Sequence, residues 1–320
     1  MTASGPGPRP VRTIFLGSGR FGLESLRRLH RRPDVELIGV VTAPARPAGR
    51  ARVLTATPID DAAHELAVEN VLTPERLRAP GSVAAVMALG PELLVLADYG
   101  QIVPAALLGL SYGALNLHPS LLPRFRGATP IQAAILAGDR ETGVTLMLMD
   151  EGLDSGPIVA QTRRRLDGSE TAVVLVDVLA VDAGELLDVA LGPWLRGESR
   201  LVVQPAAGAS STRSLRREDG RLDPTRTAVE LERQVRALVP WPGSFVETPS
   251  IGRLIVERAT LGPAAPGDIA GHLVADEDGL ALTTSDGRLR LCSVRVAGRK
   301  SMTSADLRRG TPGLVASAVR

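Results

Sequence analysis

Short apolar runs recur through the first two-thirds of the chain, separated by amphipathic stretches. Arg12 to Gly17 (RTIFLG) and Leu37 to Thr42 (LIGVVT) read as buried strands, as do Leu93 to Ala97 and Ala114 to His118. Runs this apolar suit strands covered on both faces. Between them the period lengthens. Phe21 to Arg31 reads as a helix. Pro58 opens another that runs through His64 to about Val68, with proline at the first helical position, where no intrahelical N–H is needed. Thr129 to Ala137 is expected to be helical, Val144 to Met149 and Pro157 to Gln161 extended. A long apolar helix is expected from about Thr171 to Leu191, ahead of Pro193. Strands alternating with helices predict an α/β domain with a mostly parallel sheet. Ala43 to Leu54, with Pro44, Pro47, Gly49 and three arginines, breaks the pattern and is expected to be a loop.

The pattern changes after residue 203. Gln204 to Ser214 (QPAAGASSTRS) is small, polar and unpatterned, as a linker is. One helix follows, about Thr227 to Leu238. Then come strand-like pieces at Leu254 to Arg258, Asp268 to Val274, Leu280 to Thr284 and Leu289 to Val296, with Gly267, Gly279 and Gly287 at the turns. This predicts a small β-rich domain, a barrel in the simplest case.

A length of 320 residues agrees with two domains. At 44% hydrophobic and 22% charged, the composition excludes general disorder, collagen and a coiled coil. No apolar run approaches the ~18 residues of a membrane span. The first ten residues, MTASGPGPRP, lack the apolar stretch of a signal peptide, so a cytoplasmic enzyme with a frayed tail is expected. A single cysteine, Cys292, and four histidines without ligand-like spacing give no metal site. Net charge is only +2, but its distribution is uneven. Residues 1–54 carry a local +7, and residues 288–320 another +7. Two basic ends around an acidic centre suit a polyanionic partner, although a GC-rich genome also favours arginine.

Four segments carry candidate chemistry. Gly17-Ser18-Gly19-Arg20-Phe21-Gly22 fits G-x-G-x-x-G between a strand and a helix, the setting of a dinucleotide fingerprint. The second strand, however, ends in Val41-Thr42-Ala43, with no acid for a ribose hydroxyl. The glycines are equally explained by a tight turn; the rival is an NADP site using Arg46. In Asn116-Leu117-His118-Pro119, strand alternation puts the amide and the imidazole on one face. In Asp150 to Gly156, Asp154 lies between glycines and is free to return toward His118, or to serve only as a turn aspartate. Between these, Ser120 to Pro130 is an irregular segment whose Leu121 and Leu122 offer an apolar wall to a flat ligand.

NLHPSLLPRFRGATPIQAAILAGDRETGVTLMLMDEGLDSGP resembles the core of the folate-dependent formyltransferases, in particular those acting on methionyl-tRNA. The likeness extends to VTAPARPAGR (41–50), to Asp98-Tyr99-Gly100-Gln101-Ile102-Val103-Pro104, to Arg236 through Gly243, and to Ala297 through Leu307. The chain departs from that pattern at Ser18-Gly19, where Thr-Pro is more common, at Ala45, where Asp is usual, and at Asp98, where a small apolar residue is common. The resemblance implies a Rossmann-like formyltransferase domain over residues 11–203, a linker over 204–214, and a C-terminal OB-like β-barrel over 215–320 that binds tRNA. It implies 10-formyltetrahydrofolate as formyl donor, and as acceptor the amine of methionine on initiator tRNA. No metal, nicotinamide, membrane or DNA is implied. By matching position, Asn116, His118 and Asp154 are the catalytic trio, and Ser120, Leu121, Leu122 and Pro123 line the folate site. Arg46, Arg50 and Arg52, on the loop after the second strand, are expected to meet tRNA phosphates. The same chemistry on another amine, such as an amino sugar nucleotide, is the alternative.

Overall fold

The computed structural model describes residues 9–48, 53–277 and 279–319. The chain forms two compact units. The first takes the described residues up to Pro130, then Glu141–Arg165 and Val176–Thr212; the second takes Ile131–Arg140, Leu166–Leu175 and the chain from Arg213. Among the described residues no helix is long and apolar enough to cross a membrane.

The first unit begins with β1 (Val11–Gly17), a 3-10 turn (Arg20–Gly22), α1 (Leu23–Arg31) and β2 (Val35–Val41). The paired short strands β3 (Arg46–Ala48) and β4 (Val53–Thr55) follow. Then come α2 (Pro58–Glu65), β5 (Val71–Leu72), α3 (Pro80–Ala88), β6 (Leu93–Ala97), β7 (Ala114–His118) and β8 (Arg126–Gly127). α4 (Pro130–Ala137) falls in the second unit from Ile131; the chain returns to the first as β9 (Glu141–Leu148) and β10 (Ile158–Arg165), α5 (Ala172–Leu195) belongs to it from Val176, and the unit ends at β11 (Ser211–Thr212).

The main sheet has the order β10-β9-β7-β6-β1-β2-β5. The five strands from β5 to β7 are parallel, and β9 and β10 add antiparallel at one edge. This is the expected α/β architecture. Ile14, Phe15, Leu16 and Leu93 to Ala97 are buried, which is why the central strands read as unbroken apolar runs. The order of crossing reverses between β1 and β6, and open sheets of this kind bind ligands outside the carboxyl ends of the strands at such a point.

Two local expectations change. The stretch read as a loop after β2 contains β3 and β4; β4 is exposed along its length, so no apolar alternation marked it. The long helix α5 continues past Leu191 and through Pro193. A proline in the last turn removes a single helical hydrogen bond, and Trp194 Nε1 anchors that turn to the Tyr112 carbonyl at 3.0 Å. Much of the N-terminal arginine surplus is used inside this unit. Arg28 meets Glu24 at 2.7 Å and Asp188 at 2.6 Å, and Arg32 meets Asp34 at 2.7 Å.

The second unit holds α6 (Ala228–Leu238), β12 (Ser244–Thr248), β13 (Gly252–Gly262), β14 (His272–Asp276), β15 (Gly279–Thr283), β16 (Arg288–Val296), β17 (Met302–Thr303), α7 (Ser304–Gly310) and β18 (Ser317–Ala318). Its antiparallel order is β12-β13-β16-β15-β14-β18, with β17 on β16. Register shifts around Arg258 bend β13, as bulges do. The result is the expected OB-like β domain, with an open strand path among the described residues. Its core combines Leu231 and Val235 of α6 with Leu254, Val256, Leu282, Leu291 and Val294. α6 starts with a capping box: Thr227 Oγ1 accepts from the Glu230 amide, and the Glu230 carboxylate accepts from the Thr227 amide. These bonds hold the Glu230 carboxyl down at about 2. The C-terminal arginines are paired as well, Arg288 with Asp268 at 2.7 Å and Arg295 with Glu257 at 2.7 Å.

Candidate active site

Strand β7 carries Asn116 and His118 on one face of the sheet, two residues apart. His118 is 4% exposed. Its Nε2 lies 2.8 Å from the Phe125 carbonyl oxygen. A carbonyl only accepts, so Nε2 carries a proton and donates it there. That leaves Nδ1 as the nitrogen available for proton exchange, and Nδ1 lies 3.7 Å from Asp154 Oδ2.

Asp154 sits on the loop between β9 and β10 at φ 48, a left-handed conformation that aspartate tolerates better than most residues. Its Oδ1 accepts from Asn116 Nδ2 at 3.4 Å, and its Oδ2 accepts from the Gly127 amide at 2.7 Å. One carboxylate thus joins the amide and the imidazole that strand alternation had placed side by side. The second N–H of the Asn116 amide has no protein acceptor among the described residues.

The surroundings of this cluster come from residues that the sequence did not single out. Gln204 is 7% exposed, and its Nε2 donates to the carbonyls of Asp154 (2.8 Å) and Gly156 (2.7 Å). Its Oε1 accepts from the Arg126 guanidinium at 2.8 and 3.0 Å. Ser210 Oγ accepts from the Phe125 amide at 2.9 Å, and β11 pairs with β8. Residues 204–212, whose composition reads as a linker, therefore clamp both the Asp154 loop and the carbonyl that holds His118. Thr145 and Gln161 fix the other side: Thr145 Oγ1 donates to the Ser120 carbonyl, and Gln161 Nε2 donates to the Leu122 carbonyl. A lone glutamine at the start of a polar stretch was the only signal for Gln204. Its partners are about fifty and eighty residues away, so spacing does not show them.

Of the segment read as the folate wall, Ser120 and Leu122 are buried; the Ser120 hydroxyl donates to the Arg124 carbonyl within the turn, and the Leu122 amide donates to Thr145 Oγ1 on β9. Leu121 and Pro123 are half-buried. Leu153, next to Asp154, is 66% exposed. Arg46 lies exposed on β3, 3.7 Å from Glu75. Arg50 and Arg52 lie outside the described residues.

The glycine turn after β1 has a steric explanation at two of its three glycines. A Cβ on Gly17 would stand 2.7 Å from the Ala97 carbonyl oxygen, and one on Gly22 would stand 3.0 Å from it. At the third, a Cβ on Gly19 would stand 1.7 Å from Asp98 Oδ2.

The comparisons with known proteins agree with each other. A formyl transferase family model matches residues 11–190, and a formyl transferase C-terminal domain model matches residues 214–312. A methionyl-tRNA formyltransferase of Myxococcus xanthus is 41% identical over 303 residues, covering 93% of this chain and 95% of its own. One of Gluconacetobacter diazotrophicus is 43% identical over 304 residues, covering 94% and 97%. Among solved structures, WlaRD, a sugar 3N-formyl transferase solved in the presence of dTDP and 5-N-formyl-THF, superposes with a TM-score of 0.66 at 16% identity, over 92% of this chain and 100% of that one. At that identity the superposition speaks for the fold alone. Matched by both domain models and by near-full-length relatives, the chain belongs to the formyl transferase family.

Proposed function

We propose that this enzyme transfers the formyl group of 10-formyltetrahydrofolate to the α-amine of methionyl initiator tRNA. Residues 11–203 would be the transferase domain and 215–320 the tRNA-binding domain, joined through 204–214, of which 204–212 also pack on the active site. The observation that carries the reading is the Asn116–His118–Asp154 cluster, in a chain 41% and 43% identical, over 93% and 94% of its length, to two methionyl-tRNA formyltransferases. A folate donor is supported by the ligand named for the sugar formyltransferase neighbour. The half-buried faces of Leu121 and Pro123 and the exposed Leu153 suit a flat ring, whereas the Ser120 hydroxyl is already bonded to the Arg124 carbonyl.

When bound, the donor supplies an activated formyl carbon. The acceptor must attack as a neutral amine; with an α-amino pKa of about 7.7–8.0, a useful fraction is neutral near physiological pH. As the C–N bond forms, the formyl oxygen becomes an oxyanion, and the free N–H of Asn116 donates to it. The attacking nitrogen loses a proton, which His118 accepts at Nδ1 while Nε2 stays bonded to the Phe125 carbonyl. Asp154, 3.7 Å away, is the counter-charge of the imidazolium formed. His118 then returns the proton to the folate nitrogen as its bond to the formyl carbon breaks. Arg46, with Arg50 and Arg52, would neutralise phosphates near the acceptor end, making tRNA binding weaken as salt rises.

The test is incubation with 10-formyltetrahydrofolate and methionyl initiator tRNA, followed by ester hydrolysis. Donor-dependent release of formylmethionine is the expected result. Methionine released unformylated at saturating donor would overturn the reading.

A further inference from the structure

The crevice where β1 and β6 diverge is a second feature of the first unit that the trio leaves unused. A cleft of about 500 Å³ opens there, bordered by Ser18, Gly19, Arg46, Glu75, Asp98 and Gln101. Arg46 and Glu75 face each other at 3.7 Å. The Asp98 carboxylate has neither a hydrogen bond nor an ion pair among the described residues, and only its backbone carbonyl is engaged, by the Ser18 amide at 3.0 Å. Asp98 is thus an acceptor without a protein donor among the described residues. It opens to solvent at the cleft mouth, yet enough protein crowds it for desolvation to push its pKa up.

The glycine turn is shaped around this side chain. Gly19 has φ −92 and ψ 177, which any residue adopts, so its backbone does not require glycine. A Cβ at position 19 would lie 1.7 Å from Asp98 Oδ2, so a side chain there displaces the carboxylate from where it stands. Asp98 itself has φ 55, which turns it away from the strand direction at the end of β6. In nucleotide-binding sheets, the acid that holds a ribose hydroxyl stands at the end of the second strand. Here that strand ends in Val41-Thr42-Ala43, and the acid stands on the other side of the same turn. Strand register adds a distance argument. Leu96 pairs with Asn116 and Ala97 with Leu117, so Asp98 follows the last pair as His118 does on β7. Neighbouring strands lie about 4.8 Å apart.

We infer that this crevice seats a ribose, with the Asp98 carboxylate accepting a hydrogen bond from a sugar hydroxyl. Resting on the proposed function, the sugar is the terminal ribose of the tRNA, whose methionyl ester would then lie within a strand or two of Asn116 and His118. The hydroxyl beside the ester is the donor that Asp98 lacks.

The experiment uses the full chain, 10-formyltetrahydrofolate, and methionyl initiator tRNA ending either in adenosine or in 2′-deoxyadenosine. With wild-type enzyme, the deoxy substrate is expected to raise the KM for tRNA about tenfold, with kcat and the donor KM little changed. Asp98→Ala is expected to raise the KM for the ordinary tRNA by the same factor and to show no further rise with the deoxy tRNA. Gly19→Ala should reproduce this loss, yet add nothing in the Asp98→Ala background, because the side chain it collides with is gone. Independent, multiplying effects of the two changes, or an unchanged KM in a folded Asp98→Ala enzyme, would overturn the inference and leave the proposed function standing. No formylation of ordinary methionyl-tRNA by the wild type would overturn both.

Discussion

The carbonyl oxygen of Phe125 holds Nε2 of His118 at 2.8 Å, and this bond turns the other ring nitrogen toward Asp154. The imidazole therefore exchanges protons through Nδ1 alone, in contact with a carboxylate. Asp154→Asn keeps the size of the side chain and removes its charge. Single-turnover formyl transfer is expected to slow by about 10²-fold or more, with donor affinity within a few-fold of wild type. Turnover near the wild-type rate would take Asp154 out of the mechanism.

Among the described residues the Asn116 amide nitrogen makes only a long contact with Asp154 Oδ1, 3.4 Å, and the proposed mechanism gives its other N–H to the reacting oxygen. Losing one such donor slows comparable reactions by about 10²–10³-fold. Asn116→Ala is expected to fall in that range in kcat while the donor dissociation constant stays near its original value. A loss seen only in donor binding would assign Asn116 to folate recognition instead.

Gln204 ties the Asp154 loop to Arg126 through buried hydrogen bonds. Gln204→Leu leaves two carbonyls and a guanidinium without these partners, at about 1–3 kcal/mol for each buried group left unsatisfied. Both a lower unfolding midpoint and a lower kcat are expected, because the carboxylate loses its fixed position. Denaturant titration and steady-state kinetics read the two effects separately. A destabilised variant with full kcat would limit Gln204 to a structural role.

These three residues show what the sequence could and could not reveal. Asn116 and His118 were legible because strand alternation alone sets their common face. Asp154 was legible as a candidate, but its return to His118 depends on a loop folding over the sheet. Gln204, Ser210 and the Phe125 carbonyl were invisible, since they act through backbone atoms or across long separations. The partnership of Gly19 with Asp98 was hidden for the same reason: the two are 79 positions apart, and the turn motif suggested a different ligand. The apolar runs of β1, β6 and β7 predicted the sheet, whereas β3 and β4, paired but exposed, offered no pattern to read.

Asp98 opens to solvent at the cleft mouth, yet the protein crowding its carboxylate desolvates it and raises its pKa, so the native state holds that proton more tightly than the unfolded chain does. Its favourable contribution is complete below the ordinary carboxylate range and disappears as pH rises through the native pKa. At neutral pH the ionised group counts against the fold. Asp98→Asn is therefore expected to raise Tm at neutral pH, with the gain shrinking as the solution is acidified. A lower Tm for the variant at neutral pH would contradict this account of the carboxylate.

The most direct test of the central claim is a comparison of kcat/KM, with 10-formyltetrahydrofolate as donor, for methionyl initiator tRNA, methionyl elongator tRNA and an amino sugar nucleotide. The account predicts efficient formylation of the initiator tRNA, dependent on Asn116 and His118, and negligible transfer to the sugar. Preference for the amino sugar nucleotide, with the tRNAs left unformylated, would contradict it.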